Sequence, residues 1–332
     1  MNSKTIATEK TRLRELEFEV NSLAWSPDGK YLAMTGIMTK SVTIWDVEKE
    51  VRIRTLTGYV PSTQFDQLTY SPDGRYLATC QGSRDIIARI WNPHTGEVVK
   101  DLGSLGPGGC DSLVFSPNGE FLVVGYLRKD REKLFSIAMF DTTNWQLVKR
   151  FTTPAIHVER IALSHDGRFL AVGGYQYAAN NFAQGVVELW DVEQAKMLKN
   201  TTLRPNTAVS AMAYSMDGRF IAIGVRDSIS SDLYPPSTLA MRVWNVVSST
   251  GEADLMKDIV MGEYIVSLRY TLDGKYLVSG GRGKTLRLFD ATTYQLLQAV
   301  PMLGHINSIA IRSDSAMLAT SMGKLVVIWA LQ

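Results

Sequence analysis

The nonapeptide Trp25-Ser26-Pro27-Asp28-Gly29-Lys30-Tyr31-Leu32-Ala33 recurs almost letter for letter as Tyr70-Ser71-Pro72-Asp73-Gly74-Arg75-Tyr76-Leu77-Ala78. Looser copies stand at Phe115-Ser116-Pro117-Asn118-Gly119, Leu163-Ser164-His165-Asp166-Gly167, Tyr214-Ser215-Met216-Asp217-Gly218 and Tyr270-Thr271-Leu272-Asp273-Gly274. A worn seventh copy is Ile311-Arg312-Ser313-Asp314-Ser315. The equivalent positions 26, 71, 116, 164, 215, 271 and 312 are separated by 45, 45, 48, 51, 56 and 41 residues. A period of that size means one supersecondary unit repeated, each copy hiding its apolar faces only against its neighbours.

Asp-Gly between apolar runs is a strong hairpin signal, because Gly supplies a positive φ and Asp bonds its own backbone. The flanking runs, such as Val20 to Trp25 and Ser41 to Trp45, are short, alternating and rich in β-branched and aromatic residues, as strands are. A second signature follows each of the first six turns: Ile44-Trp45-Asp46, Ile90-Trp91-Asn92, Met139-Phe140-Asp141, Leu189-Trp190-Asp191, Val243-Trp244-Asn245 and Leu288-Phe289-Asp290. The seventh closes the chain as Ile328-Trp329-Ala330. Each unit therefore reads as four short strands, a to d, with the Asp-Gly turn joining a to b and the aromatic-Asp pair closing c.

Seven such pairs in phase with seven turns resemble the WD40 family, from about residue 11 to the C-terminus. The resemblance implies an all-β, seven-bladed β-propeller of four-stranded antiparallel blades packed radially around a channel. The last repeat stops after strand c, whereas Thr11 to Glu17 alternates as a strand and aligns with Val51 to Leu56, strand d of blade 1. Residues 11–17 are thus expected to complete the blade formed by 306–332, close the ring and remove two open sheet edges. On this reading 1–10 is a flexible tail and 11–332 a single domain. The chain departs from the family pattern in its buried hydrogen-bond networks. Only Gly304-His305 resembles the usual Gly-His pair, and Gly283 and Gly323 stand where a turn Asp is usual. Those networks are expected to be mostly absent, which suits a divergent, prokaryotic-type member.

The 35 basic and 33 acidic residues leave a formal charge of +2, which gives no ground for a nucleic-acid surface. No apolar run approaches the ~20 residues of a membrane helix, so no membrane insertion is expected. The stretch from Met1 to Lys10 is polar and carries no export signal. If Met1 is the native start the expectation is a cytoplasmic protein; if a signal peptide has been trimmed, an exported one. Cys80 and Cys110 read as two separate buried thiols, with a disulfide as the alternative. His94, His157, His165 and His305 fall in four different repeats, so no metal site is expected, and no cofactor motif appears. The loop Gly280 to Thr285 has no following helix to hold a phosphate. Asp46, Asp141, Asp191 and Asp290 recur once per blade, which is turn chemistry rather than catalysis.

One feature is not explained by the repeat. Blade 6 passes from Leu277 to Asp290 with a minimal b–c connection, whereas blades 3, 4 and 5 run Leu122 to Asp141, Leu170 to Asp191 and Ile221 to Asn245. In this family's propellers the b–c loops and d–a links share the top face. Three long neighbouring loops carrying Tyr126, Tyr175, Tyr177, Phe182 and Tyr234 among Arg128, Lys129, Arg131 and Arg226 make a candidate partner-binding surface. Tyr and Arg are the residues that binding surfaces enrich. The expected function is a non-catalytic scaffold for another protein, as a monomeric propeller or a subunit of a larger complex. The alternative is an enzyme or small-molecule binder using the mouth of the channel.

Overall fold

The computed structural model describes residues 5–14, 16–36, 39–58, 67–80, 86–103, 109–126, 135–153, 157–177, 183–227, 240–246 and 254–332. The regular structure among them is all β, in seven separate four-stranded antiparallel sheets, the fold class of a seven-bladed β-propeller. The chain divides into two compact units, Met1–Thr152 with Asn307–Gln332, and Thr153–Ile306.

The first unit holds four blades. Blade 1 is β2–β5 (Ser22–Trp25, Tyr31–Thr35, Ser41–Asp46, Val51–Thr57), blade 2 is β6–β9 (Leu68–Tyr70, Leu77–Cys80, Ile86–Trp91, Val98–Gly103), and blade 3 is β10–β13 (Cys110–Phe115, Phe121–Tyr126, Phe135–Asp141, Leu147–Thr152). Blade 7 combines β26–β28 (Ser308–Ile311, Met317–Met322, Leu325–Leu331) with β1 (Ala7–Leu13). The second unit holds blade 4, β14–β17 (His157–Leu163, Phe169–Tyr177, Ala183–Asp191, Lys196–Pro205), and blade 5, β18–β21 (Thr207–Tyr214, Phe220–Asp227, Ala240–Asn245, Asp254–Val260). Its third is blade 6, β22–β25 (Ile265–Tyr270, Tyr276–Gly281, Thr285–Asp290, Leu296–Pro301).

The repeated turn has one chemistry in blades 1 to 6. In blade 1 the Ser26 hydroxyl donates to Asp28 Oδ1 at 2.5 Å, the Lys30 amide donates to the same oxygen at 3.1 Å, and the Tyr31 amide donates to Ser26 Oγ at 2.9 Å. The same box recurs at Ser71/Asp73, Ser164/Asp166 and Ser215/Asp217, with Asn118 or Thr271 substituting without loss of a bond. Gly29 and Gly74 take φ of 71° and 73°, which Ser315 must match at 58° in the worn seventh copy. The aromatic-Asp aspartates cap the c–d turns, for example Asp290 Oδ1 accepting from Thr292 and Thr293 amides at 3.0 and 2.7 Å. Their role is turn closure, as their recurrence predicts.

The cores lie between the sheets. Leu56, Val42 and Ile44 of blade 1 pack with Leu68, Leu77 and Trp91 of blade 2; in the second unit Val187 and Leu203 of blade 4 pack with Val209, Ile223 and Trp244 of blade 5. At ~25 cal/mol per Å² of apolar surface, this two-sided burial is the main stabilising term.

β1 pairs antiparallel with β28 from Ala7↔Leu331 to Leu13↔Val326, with an irregularity between Glu9 and Thr11. The completing strand therefore spans 7–13 rather than 11–17, and residues 7–10, expected as tail, are part of it. The reason is side-chain parity: Leu13 and Leu16 are both buried, at 2% and 5% exposure, yet three residues apart they face opposite sides of a strand. The chain leaves the sheet after Leu13, and Leu16 joins the core between blades 7 and 1.

Two further expectations are corrected. Cys80 and Cys110 form a disulfide, both fully buried, because the end of β7 and the start of β10 bring their Cα atoms to 5.0 Å. The buried polar bonds are also better kept than the missing Gly-His pairs suggest. The indole N–H groups of Trp45, Trp91 and Trp329 donate to Thr43, Thr79 and Thr320 at 3.2, 3.0 and 2.9 Å.

In blade 4 the indole acceptor is Glu188, two residues before Trp190 as Thr43 is before Trp45, and Trp190 Nε1 donates to its Oε2 at 3.0 Å. Glu188 is 0% exposed, and burial pushes its carboxyl up to about 7, against the pull of the Trp190 bond. A carboxyl raised from 4.5 favours the folded state while protonated, so its contribution is full below pH 4.5 and is lost as pH rises through 7. The loss amounts to about 3 kcal/mol. Glu188→Gln is therefore expected to melt above the parent at pH 8 and level with it at pH 4.5. An equal difference at both pH values would refute this assignment.

Candidate functional site

In blade 4 strands β15 and β16 form a nine-residue hairpin, so Tyr175 and Tyr177 lie on a strand, paired with Gly185 and Ala183, not in a loop. Being two apart, they share one face. His157 opens β14 opposite Tyr175. Its ring stacks on Tyr175 at 4.8 Å and meets Tyr177 edge-on at 5.6 Å, and the two tyrosines contact each other edge-on at 5.7 Å. The close approach of β14 to β15 requires Gly174, since a Cβ there would lie 1.9 Å from the His157 carbonyl oxygen. Burial lowers the His157 pKa and so favours the neutral ring in the stack. Tyr177 remains 60% exposed, an aromatic surface held by two half-buried neighbours.

Below the rings, the chain bulges at Glu159, between Val158 and Arg160. The bulge turns the Glu159 carboxylate to Arg226 of β19 in blade 5, and the two form an ion pair with side-chain exposures of 6% and 17%. Burial pulls the Arg226 guanidinium down, but the charge of Glu159 and hydrogen bonds to Glu159 and Tyr264 outweigh it, so Arg226 stays charged. Glu159 is raised by burial, with Arg226 and Arg160 pulling against. Its Oε2 finds no hydrogen-bond partner among the described residues. Tyr264 in turn lies 4.8 Å beneath the Arg282 guanidinium of blade 6, and the neighbouring Glu263 pairs with Arg287. Aromatic rings and guanidiniums thus alternate across blades 4, 5 and 6, at the end where their b–c connections and d–a links meet.

Of the residues singled out from sequence, Tyr175, Tyr177 and Arg226 come together here. Arg226 is occupied by Glu159 rather than presented to solvent. Tyr126 is 3% exposed on β11, in the core between blades 2 and 3, and so is not a surface residue. β11 ends at Tyr126 as β23 of blade 6, with its minimal connection, ends at the equivalent Gly281, so Tyr126 is the last residue of a core strand and not part of the long connection. Arg128, Lys129, Arg131, Phe182 and Tyr234 lie outside the described residues. Sequence reading missed His157, Glu159, Tyr264 and Arg282. A usable signal was present: Glu159-Arg160 is an adjacent charged pair inside an otherwise apolar first strand.

Among the described residues no three His, Cys, Asp or Glu converge as a metal site, and no helix is long and apolar enough to cross a membrane. The arrangement suits recognition through rings and guanidiniums. Comparison with known proteins agrees with the repeat reading. The family model described as WD domain, G-beta repeat matches residues 10–46, 51–92 and 261–290. A curated relative, periodic tryptophan protein 2 of Arabidopsis thaliana, is 23% identical over 298 residues, 85% of this chain. The chain spans 30% of that relative's length.

Breaking the buried pair on one side strands a charge. Glu159→Gln is expected to cost about 2–3 kcal/mol in urea denaturation, and Glu159→Gln with Arg226→Met to recover most of it. Additive losses in the double variant would show that the two side chains do not act as a pair.

Proposed function

This chain is a WD40-repeat protein, and on that footing we propose that it is a non-catalytic scaffold that binds another protein through the top face of blades 3–5. WD40 propellers typically serve as protein-interaction scaffolds, and the repeat spends its turn carboxylates on structure rather than chemistry. The observation that carries the proposal is Tyr177: a large aromatic, 60% exposed, on a rigid hairpin and braced by His157 and Tyr175. A ring already fixed in place loses little freedom when a partner covers it, which is what makes aromatic anchors effective. The connection that carries Phe182 follows it directly in sequence, and the corresponding connections of the preceding and following repeats carry Arg128, Lys129 and Arg131, and Tyr234. Their basic residues favour an acidic partner segment.

Affinity capture from the native host's lysate tests this with three baits: the intact chain, Tyr177→Ser, and a chain whose three long connections are cut to the length in blade 6. A protein held by the first bait and lost with the other two supports the surface. Equal recovery by all three, with all baits folded by thermal melt, overturns it.

A further inference from the structure

Among the described residues the two most exposed large apolar side chains are Leu303 at 75% and Val260 at 66%. They bracket blade 6 in the chain: Val260 ends β21 just before the blade begins, and Leu303 follows β25 where it closes. We infer that this end of blade 6 is a docking surface for an acidic protein segment, which seats apolar side chains on Leu303 and Val260 and carboxylates on Arg282 and Lys284.

Position supplies the first argument. Backbone bonds tie three segments into one end of the blade. The Arg282 amide donates to the Tyr264 carbonyl and the Ile306 amide to the Gly281 carbonyl, each at 2.9 Å, and the Met302 amide donates to the Lys284 carbonyl at 2.8 Å. His305 Nδ1 lies 2.6 Å from the Arg282 carbonyl oxygen. Leu303 is therefore held beside the turn 282–284, between two of these bonds. The Arg282 guanidinium is seated in turn, 4.8 Å from the centre of the Tyr264 ring. A surface already fixed in place loses little freedom when a partner covers it.

Charge supplies the second. Arg282 and Lys284 are exposed, and neither forms an ion pair among the described residues. The carboxylates of the same segments are already occupied: Glu263 is buried and pairs with Arg287, and Asp258 of β21 pairs with Arg242. What this end presents to solvent is thus apolar and positive. A segment carrying both apolar side chains and carboxylates complements it, whereas a basic segment is repelled and a purely polar one leaves Leu303 and Val260 uncovered. Two cations are too few to hold an anionic membrane, where clusters of about four to eight are usual.

The inference rests on the scaffold reading only in taking the partner to be a protein; it uses neither Tyr177 nor the long connections. The test uses the full chain and the fluorescence anisotropy of three labelled decapeptides, alternating Glu–Leu, Glu–Ser and Lys–Leu. The Glu–Leu peptide is expected to bind at least about tenfold more tightly than either control. Leu303→Ser and Val260→Ser are each expected to weaken it about tenfold, and to melt with the parent because both side chains are exposed. Arg282→Gln is expected to weaken it and to reduce its salt dependence, and Tyr177→Ser to leave it unchanged. Loss with Tyr177→Ser but not with Leu303→Ser would assign the peptide to the surface on blade 4 and overturn this one. Equal binding of the three peptides, or no binding of the Glu–Leu peptide up to about 1 mM, would overturn it as well. So would tighter binding to phosphatidylserine vesicles than to the peptide.

Discussion

A four-stranded sheet has two apolar faces and nothing of its own to cover either, and this constraint organises the molecule. Each blade is stable only between neighbours, so the cores sit between sheets: Leu56 and Ile44 against Leu77 and Trp91, and Val187 and Leu203 against Ile223 and Trp244. The serine–aspartate turn boxes make the blades alike enough to stack. Each box fixes the direction in which strand b returns, through three short-range bonds that need no help from elsewhere.

Where the stack must be joined across sequence distance, other interactions act. β1 supplies the fourth strand of blade 7 from the opposite end of the chain, pairing its backbone with β28 and burying Leu13 beside Val326 and Ile328. The Cys80–Cys110 disulfide ties blade 2 to blade 3 over a separation of 30 residues, within a core that also contains Tyr126. Both are cases in which groups of ordinary local appearance acquire their role from where the next blade lies.

In a repeat protein the residues that depart from the repeat carry the individual character. Glu188 accepts an indole N–H, the part threonines play in blades 1, 2 and 7, and brings a titrating carboxyl into a core. Asp111, Glu159, Arg160 and Arg269 put charge on first strands that otherwise carry none. The three-ring cluster of His157, Tyr175 and Tyr177 exists because blade 4's central hairpin is longer than a minimal one. Most of these departures lie in blades 4 to 6, which is why the candidate surface falls there.

The sequence by itself determined the fold class. Period-two alternation, Asp-Gly turns and aromatic-Asp pairs are local chemistry, and their recurrence leaves one way to bury seven similar sheets. It also determined that the recurrent aspartates close turns, and it pointed at the long connection of blade 4. Tertiary structure decided the rest, because it depends on which residues meet across blades. Arg226 reads from sequence as an exposed basic residue in a long connection, yet it spends its charge on Glu159, 67 residues away. Tyr126 reads as a loop aromatic and is core, while Tyr177, two residues beyond Tyr175, is left in solvent. Two cysteines that read as separate thiols are paired. Local patterns reach as far as a strand and its turn; a pairing between blades is set by packing, which no short stretch of the chain records.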